Sequence, residues 1–221
     1  MSISRITIGC TATDFPPLRG SKPAREPDVK QMETNLFANE SIELKLLSLD
    51  YTEQLFELVN ENREHLREWL PWVDATKTST DTESFVKSAI RQCETGKGPQ
   101  YAIFYEATMC GVCGFHQFSV ENRAGGIGYW LSRAYTGKGI MTSSVKSLVK
   151  AGFSEHRLNR IEIACATGNA RSRAVPERLG FTFEGVLRER EYLYGRYVDH
   201  AIYSMLASEI SLNKALHRTS R

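Results

Sequence analysis

The chain has 221 residues, 41% of them hydrophobic and 24% charged, with a formal net charge of +2. That suits one domain of ordinary size with a full core, and a balance this close to neutral points to neither nucleic acid nor a membrane as partner. The longest apolar runs fall short of a membrane span, and no apolar leader followed by a small-residue cleavage site opens the sequence, so the expected location is the cytoplasm.

Residues 1 to 40 read as a disordered N-terminal extension. Pro16, Pro17, Pro23 and Pro27 fall there among polar residues, with no sustained hydrophobic period. Met32 offers a second possible start. From Ile42 to Leu47 the alternation Ile-Glu-Leu-Lys-Leu predicts a half-buried strand. Asp50 is the expected N-cap of a helix carrying Leu55, Phe56, Leu58 and Val59, and a second helical piece runs from Arg63 to Trp69. Pro71 in Leu70-Pro71-Trp72 ends it. Asp81 is the expected cap of a third helix, with Phe85, Val86, Ala89 and Ile90 on its apolar face, stopped by Gly96-Lys97-Gly98-Pro99.

Strands follow. Tyr101 to Glu106 and Met109 to Phe118 predict a hairpin turning near Ala107, and Gly126 to Leu131 the next strand. A central helix is expected over Gly137 to Phe153, a buried strand over Leu158 to Ala166, and a helix over Asn169 to Leu179 closed by Gly180. Phe181 to Arg188 and Tyr197 to Leu206 complete the pattern as strands joined by a charged loop, with residues 211 to 221 as a tail. This order implies an α+β domain of mixed α/β layers over residues 41 to 210.

Three local patterns bear on chemistry. Cys10, Cys93, Cys110, Cys113 and Cys165 are odd in number and scattered, which fits reduced thiols. The Cys110-x-x-Cys113 pair with His116 has no second ligand pair, and on a strand its thiols should face opposite sides, so no metal is expected. Gly137-Lys138-Gly139 lies between a strand and a helix, where loop amides and a helix N-terminus attract phosphate. A plain strand-to-helix turn would read the same. The spacing fits neither G-x-x-x-x-G-K-[ST] nor the dinucleotide-binding G-x-G-x-x-G. Finally, Asn169 sits at an N-cap with Ser172 on the same helix face, while Pro176 denies the Ser172 carbonyl its helical donor and leaves it for a ligand, a water or nothing.

In this order and at these separations, Trp130-Leu131, Gly137-Lys138-Gly139-Ile140-Met141-Thr142, Asn169-x-x-Ser172 and Glu177-Arg-Leu-Gly-Phe181 resemble the GNAT acetyltransferase superfamily. Glu68-Trp-Leu-Pro-Trp72 and Gly128-Tyr-Trp-Leu131 resemble its RimJ/RimL branch, the N-terminal acetyltransferases of ribosomal proteins. The resemblance spans residues 42 to 209 and implies a mostly antiparallel, twisted sheet flanked by helices. It implies acetyl-CoA as co-substrate, with its pyrophosphate on the amides of Gly137, Lys138, Gly139, Ile140, Met141 and Thr142. It sets the pantetheine arm along the backbone of Trp130 and Leu131 and against Asn169, and the sulfur near Ser172. Thr136 and Met141 depart from the family's usual loop residues; neither removes an amide.

Acetyl transfer to an amine needs one proton taken from the amine and one given to the thiolate. Ser172 is the candidate acid. Glu191 is the candidate base, with Glu189 and His116 in reserve. Trp69, Trp72 and Tyr192 are candidates for the acceptor side, which core packing would explain equally; Lys138, Arg171 and Arg173 are candidates for the 3′-phosphate of CoA, with solvated surface the default for each. The implied acceptor is a protein or peptide N-terminus, with a ribosomal protein foremost. A small amine such as a polyamine, amino acid or antibiotic is the alternative, and a non-catalytic acyl-CoA-binding module the last. Dimerisation through the C-terminal strand stays open.

Overall fold

A computed structural model of the chain describes residues 35–116 and 118–210. Of the extension expected over residues 1 to 40, residues 1–34 lie outside the described residues, as does the tail over 211 to 221. In chain order the elements are β1 (Asn35–Asn39), β2 (Ile42–Leu46), α1 (Thr52–Glu61), α2 (Arg63–Arg67), α3 (Ser79–Glu94), β3 (Gln100–Tyr105), β4 (Thr108–Phe115), β5 (Ala124–Leu131), α4 (Ile140–Ser154), β6 (Arg160–Ala166), α5 (Ala170–Arg178), β7 (Thr182–Leu193) and β8 (Arg196–Leu206).

The strands form one sheet in the order β1-β2-β3-β4-β5-β6-β8-β7. Every neighbouring pair is antiparallel except β5 and β6, which run parallel with α4 as the crossover that such a pair requires. One face of the sheet packs on α4 and α5 through Ile103, Phe115, Ile127, Ile140, Leu148, Ile161 and Tyr203. The other packs on α1 and α3 through Leu55, Leu58, Val86, Ala102 and Val112. The chain thus has the layered α/β architecture that its patterning implies and the flanked, mostly antiparallel sheet that the family resemblance implies.

Several local expectations change. Residues 35–39, assigned to the extension by composition, form edge strand β1 because Leu36 is buried against the sheet. Asp50 is not a cap: it lies inside a 3-10 turn, Leu49–Tyr51, and Tyr51 is the N-cap of α1. Asp81 is not a cap either but the third residue of α3. Thr78 is the cap, and the Asp81 carboxylate accepts from the amides of Thr78 and Lys77 at 2.9 and 3.0 Å, a capping box. The β3–β4 turn has Glu106 and Ala107 at φ 47° and 65°, the left-handed pair a two-residue hairpin loop requires.

The two central cysteines do not face opposite sides. Ile103 pairs with Gly111 and Phe104 with Met109, so Cys110 is the extra residue of a β-bulge, and Cys110 and Cys113 enter the same core. Burial pushes the Cys110 thiol up to about 12 and raises that of Cys113 as well, keeping both protonated. Among the described residues no group of three or more His, Cys, Asp or Glu stands close enough to hold a metal ion. Nor is any described helix long and apolar enough to cross a membrane. The last two strands are longer than their periodicity suggests: β7 continues through residue 193, and the tight turn is Tyr194-Gly195.

Candidate active site

The site begins where β5 and β6 part. Their ladder consists of three pairs, Ala124 with Arg160, Gly125 with Ile161 and Gly126 with Glu162. Beyond Gly126, β5 continues against β4 alone and β6 against β8 alone. From Ile127 to Leu131, β5 therefore presents one backbone edge to a crevice, a row of main-chain donors and acceptors open to an extended ligand.

At the end of β5 the chain enters the loop to α4. Gly137 and Gly139 have φ of 78° and 75°, which disfavours any residue with a Cβ, and Gly139 is the N-cap of α4. No side chain caps this helix and no acidic residue lies in its first turn. Its hydrogen-bond ladder starts with the Ser143 amide donating to the Gly139 carbonyl at 3.0 Å. The amides of Ile140, Met141 and Thr142 thus have no intrahelical acceptor at the positive end of the helix dipole, which suits an anion. Lys138 holds its ammonium 5.0 Å from the Tyr135 ring and 5.9 Å from that of Tyr105.

Asn62 anchors this loop, a role its place between two helices gives no hint of. Its buried side-chain oxygen accepts from Ser132 Oγ at 3.1 Å and the Arg133 amide at 2.9 Å, while its Nδ2 donates to the Leu58 carbonyl at 2.8 Å. The end of α1 thereby fixes where β5 hands over to the loop.

On the β6 side, Asn169 caps α5, its Oδ1 accepting from the Ser172 amide at 3.0 Å. The Ser172 carbonyl freed by Pro176 accepts from the Tyr129 hydroxyl at 2.9 Å. Ser172 Oγ lies 3.2 Å from Cys165 Sγ and 3.4 Å from the Tyr129 oxygen. Burial raises the pKa of both Tyr129 and Cys165, so these groups carry their protons. Arg173 is not available to a phosphate: its guanidinium donates to Tyr203 Oη at 3.0 Å and to the Thr167 carbonyl at 3.2 Å, and lies 3.5 Å from Glu177.

The crevice opens into a cavity of about 550 Å³ lined by Trp69, Trp72, Trp130, Asn169, Ser172, Glu191 and His200, among others. The indoles of Trp72 and Trp130 stand 6.2 Å apart. Glu191 is on strand β7, not in a loop, with Oε2 3.4 Å from His200 Nε2. That nitrogen is buried without a hydrogen-bond partner, so His200 joins the site although nothing in its local sequence marks it. His116 also lines the cavity, its ring resting on β5 where a Cβ on Gly128 would stand 2.7 Å from its Nε2. Desolvation lowers its pKa from the ordinary value although part of the ring stays exposed, favouring neutral imidazole.

Two expected members are absent from this lining. Tyr192 is exposed and pairs with Tyr197 at 5.0 Å. Glu189 sits on a bulge of β7 at φ 50°, its amide donating to Asp199. Across the cavity, the Tyr194 hydroxyl at the hairpin tip donates to the Leu70 carbonyl at 2.8 Å, and the Arg67 guanidinium stacks 3.9 Å from the Tyr194 ring. Two separate walls are thus tied together.

Known proteins resemble this chain in sequence and fold. The model of the Acetyltransferase (GNAT) domain family matches residues 42–182. The chain is 37% identical over 173 residues to the Bacillus subtilis protein YdaF, whose name assigns it provisionally to ribosomal N-acetylation; the match covers 77% of this chain and 94% of YdaF. Among solved structures, RimL, the ribosomal L7/L12 alpha-N-protein acetyltransferase, in complex with coenzyme A aligns with a TM-score of 0.76 at 30% identity, covering 78% of this chain and 97% of RimL. The microcin C7 self-immunity acetyltransferase MccE, in complex with acetyl-CoA and AMP, aligns with a TM-score of 0.75 at 30% identity, covering 81% of this chain and 99% of that one. With a family match over most of its length and relatives spanned almost end to end, the chain belongs to the GNAT acetyltransferase family.

Proposed function

We propose that this chain transfers the acetyl group of acetyl-CoA to a primary amine, foremost the N-terminal α-amine of a ribosomal protein in the cytoplasm. The observation that carries the reading is the parting of β5 from β6. One open strand edge leads to the uncapped N-terminus of α4 at one end and lines the Ser172–Glu191 cavity along its length. A long ligand with a pyrophosphate at one end and a thioester at the other fits that order of features. Gly137, Lys138, Gly139, Ile140, Met141 and Thr142 supply amides for the pyrophosphate. The backbone of Trp130 and Leu131 takes the pantetheine arm with Asn169 beside it.

Chemistry then needs little beyond alignment and proton handling. The amine attacks the thioester carbonyl, and β5 amides stabilise the oxyanion. Glu191 takes the amine's proton through water, the C–S bond breaks, and Ser172 gives its proton to the thiolate; solvent then returns a proton to Ser172 and accepts the one held by Glu191. The products are the N-acetyl amine and free CoA thiol. An α-amine has a pKa of about 7.7–8.0, against about 10.4 for a lysine, so a protein N-terminus asks less of the base. Relatives named for ribosomal-protein acetylation support the acceptor class.

A small amine is the second reading, favoured by the likeness to MccE, whose structure holds AMP. The deciding experiment is thiol release from acetyl-CoA with N-terminal peptides, ribosomal proteins and small amines offered in parallel. Peptide-dependent release supports the first reading, release with small amines alone the second. Tight acetyl-CoA binding without release across the panel would sink both.

A further inference from the structure

The cluster of Tyr129, Cys165, Ser172 and Pro176 does something no single one of its members implies. Tyr129 stands on β5 three residues past the last β5–β6 pair, so its side chain spans the crevice where the strands have separated. It ends on α5, where its hydroxyl donates to the Ser172 carbonyl at 2.9 Å. That carbonyl has room for the bond because Pro176, four residues on, has no N–H to fill the usual helical position.

The direction of this bond matters. A phenol has one proton, and here it is committed to a carbonyl. Toward Ser172 Oγ, 3.4 Å away, the Tyr129 oxygen therefore acts as an acceptor. Cys165 Sγ, 3.2 Å from the same hydroxyl, is a weak acceptor. The Ser172 proton is thus confined to two weak acceptors, Tyr129 and Cys165, and its hydrogen bond is readily redirected to a stronger acceptor such as a thiolate. Without Tyr129 the serine hydroxyl would keep only the weak Cys165 acceptor and turn more freely among its staggered positions.

We infer that Tyr129 is a positioning residue for the reaction: it reads the carbonyl freed by Pro176 and thereby fixes the aim of the Ser172 hydroxyl. The inference rests on the reading of Ser172 as the acid. Tyr129→Phe keeps the ring and removes both contacts. Turnover should fall about 10-fold, the order expected when a reacting group loses alignment, with the KM for acetyl-CoA changed by less than about two-fold. In a Ser172→Ala background the same substitution should cost nothing more. Unchanged turnover in Tyr129→Phe, or losses that multiply in the double variant, would overturn the inference.

Pro176→Ala gives an independent approach that leaves the tyrosine in place and serves if Tyr129→Phe folds poorly. The restored amide competes for the Ser172 carbonyl, so turnover should drop in the wild-type background and stay level in Ser172→Ala; equal loss in both refutes the idea. The underlying reading fails differently: Ser172→Ala would then itself turn over at the wild-type rate.

Discussion

The two halves of the crevice are built from different materials. Under the proposed reading the working groups on the cofactor side are main-chain: the free edge of β5 and the amides opening α4, shaped by Gly137 and Gly139 and fastened by Asn62. On the acceptor side they are side chains from distant parts of the chain, Trp69 and Trp72 from the α2–α3 connection and Glu191 and His200 from the last hairpin. A backbone site depends on conformation and tolerates change in most side chains. A side-chain site changes with every substitution. The GNAT family match ends at residue 182, the first residue of β7, so it takes in the first half with Trp69 and Trp72 of the second, and stops short of Glu191 and His200.

Ser172 stands at the junction of the halves, and its loss should have the largest effect. Removing a general acid costs on the order of 100-fold in rate or more, so Ser172→Ala should lower kcat by about that factor with acetyl-CoA affinity unchanged. Weakened binding with normal turnover would move Ser172 wholly to the cofactor half.

Gly139→Val tests the backbone half alone. A Cβ at Gly139 meets no atom within 4 Å, so the penalty is conformational rather than a clash. Holding a non-glycine residue in the left-handed region costs roughly 1–2 kcal/mol, and relief of that strain turns the loop amides away. The KM for acetyl-CoA should rise about 10-fold with every acceptor, since 1.4 kcal/mol is a factor of ten. An effect that differed between acceptors would break the division drawn above.

Glu191→Gln tests the other half. A peptide α-amine supplies free amine unaided near pH 8, so the loss there should be small, growing to about 10-fold toward pH 6 where the protonated amine dominates. Rates measured from pH 6 to 9 check this, and a constant ratio to wild type across that range would remove Glu191 from the mechanism.

The same division explains what the sequence made legible. Glycines, the Asn169 cap and Pro176 act through local backbone rules, so the loop, the α5 start and the freed carbonyl could be read from neighbours a few positions apart. The carbonyl's partner could not, because Tyr129 lies 43 residues away. Asn62 reaches 70 residues to Ser132, and Tyr194 reaches 124 to Leu70. Such pairings come from topology, not from periodicity. Glu191 is a candidate base by family resemblance, and local pattern hides its setting: the charged run 188–191 looks like a loop, whereas its β7 residues continue the sheet through a bulge opposite Asp199. The Cys110 bulge misled in the same way, since one extra residue reverses which face a side chain takes.

The smallest effect should come from the tie across the acceptor side. Tyr194→Phe removes the hydroxyl that donates to the Leu70 carbonyl but keeps the ring under Arg67. Arg67 is held independently by Asp74, whose carboxylate oxygens lie 2.9 and 3.0 Å from its Nε, so the stack survives the substitution. What is lost is one partly buried hydrogen bond, worth about 1 kcal/mol. That bond joins the segment carrying Trp69 and Trp72 to the hairpin carrying Glu191 and His200, and neither of the two bonded residues belongs to β5 or to the start of α4. The KM for the acceptor should therefore rise about three- to five-fold, less than the full factor because the stack still holds the two walls near each other. The KM for acetyl-CoA should not move. A shift in acetyl-CoA affinity of similar size would mean that the walls of the acceptor cavity also set the spacing of β5 and β6, and that the two halves are one mechanical unit.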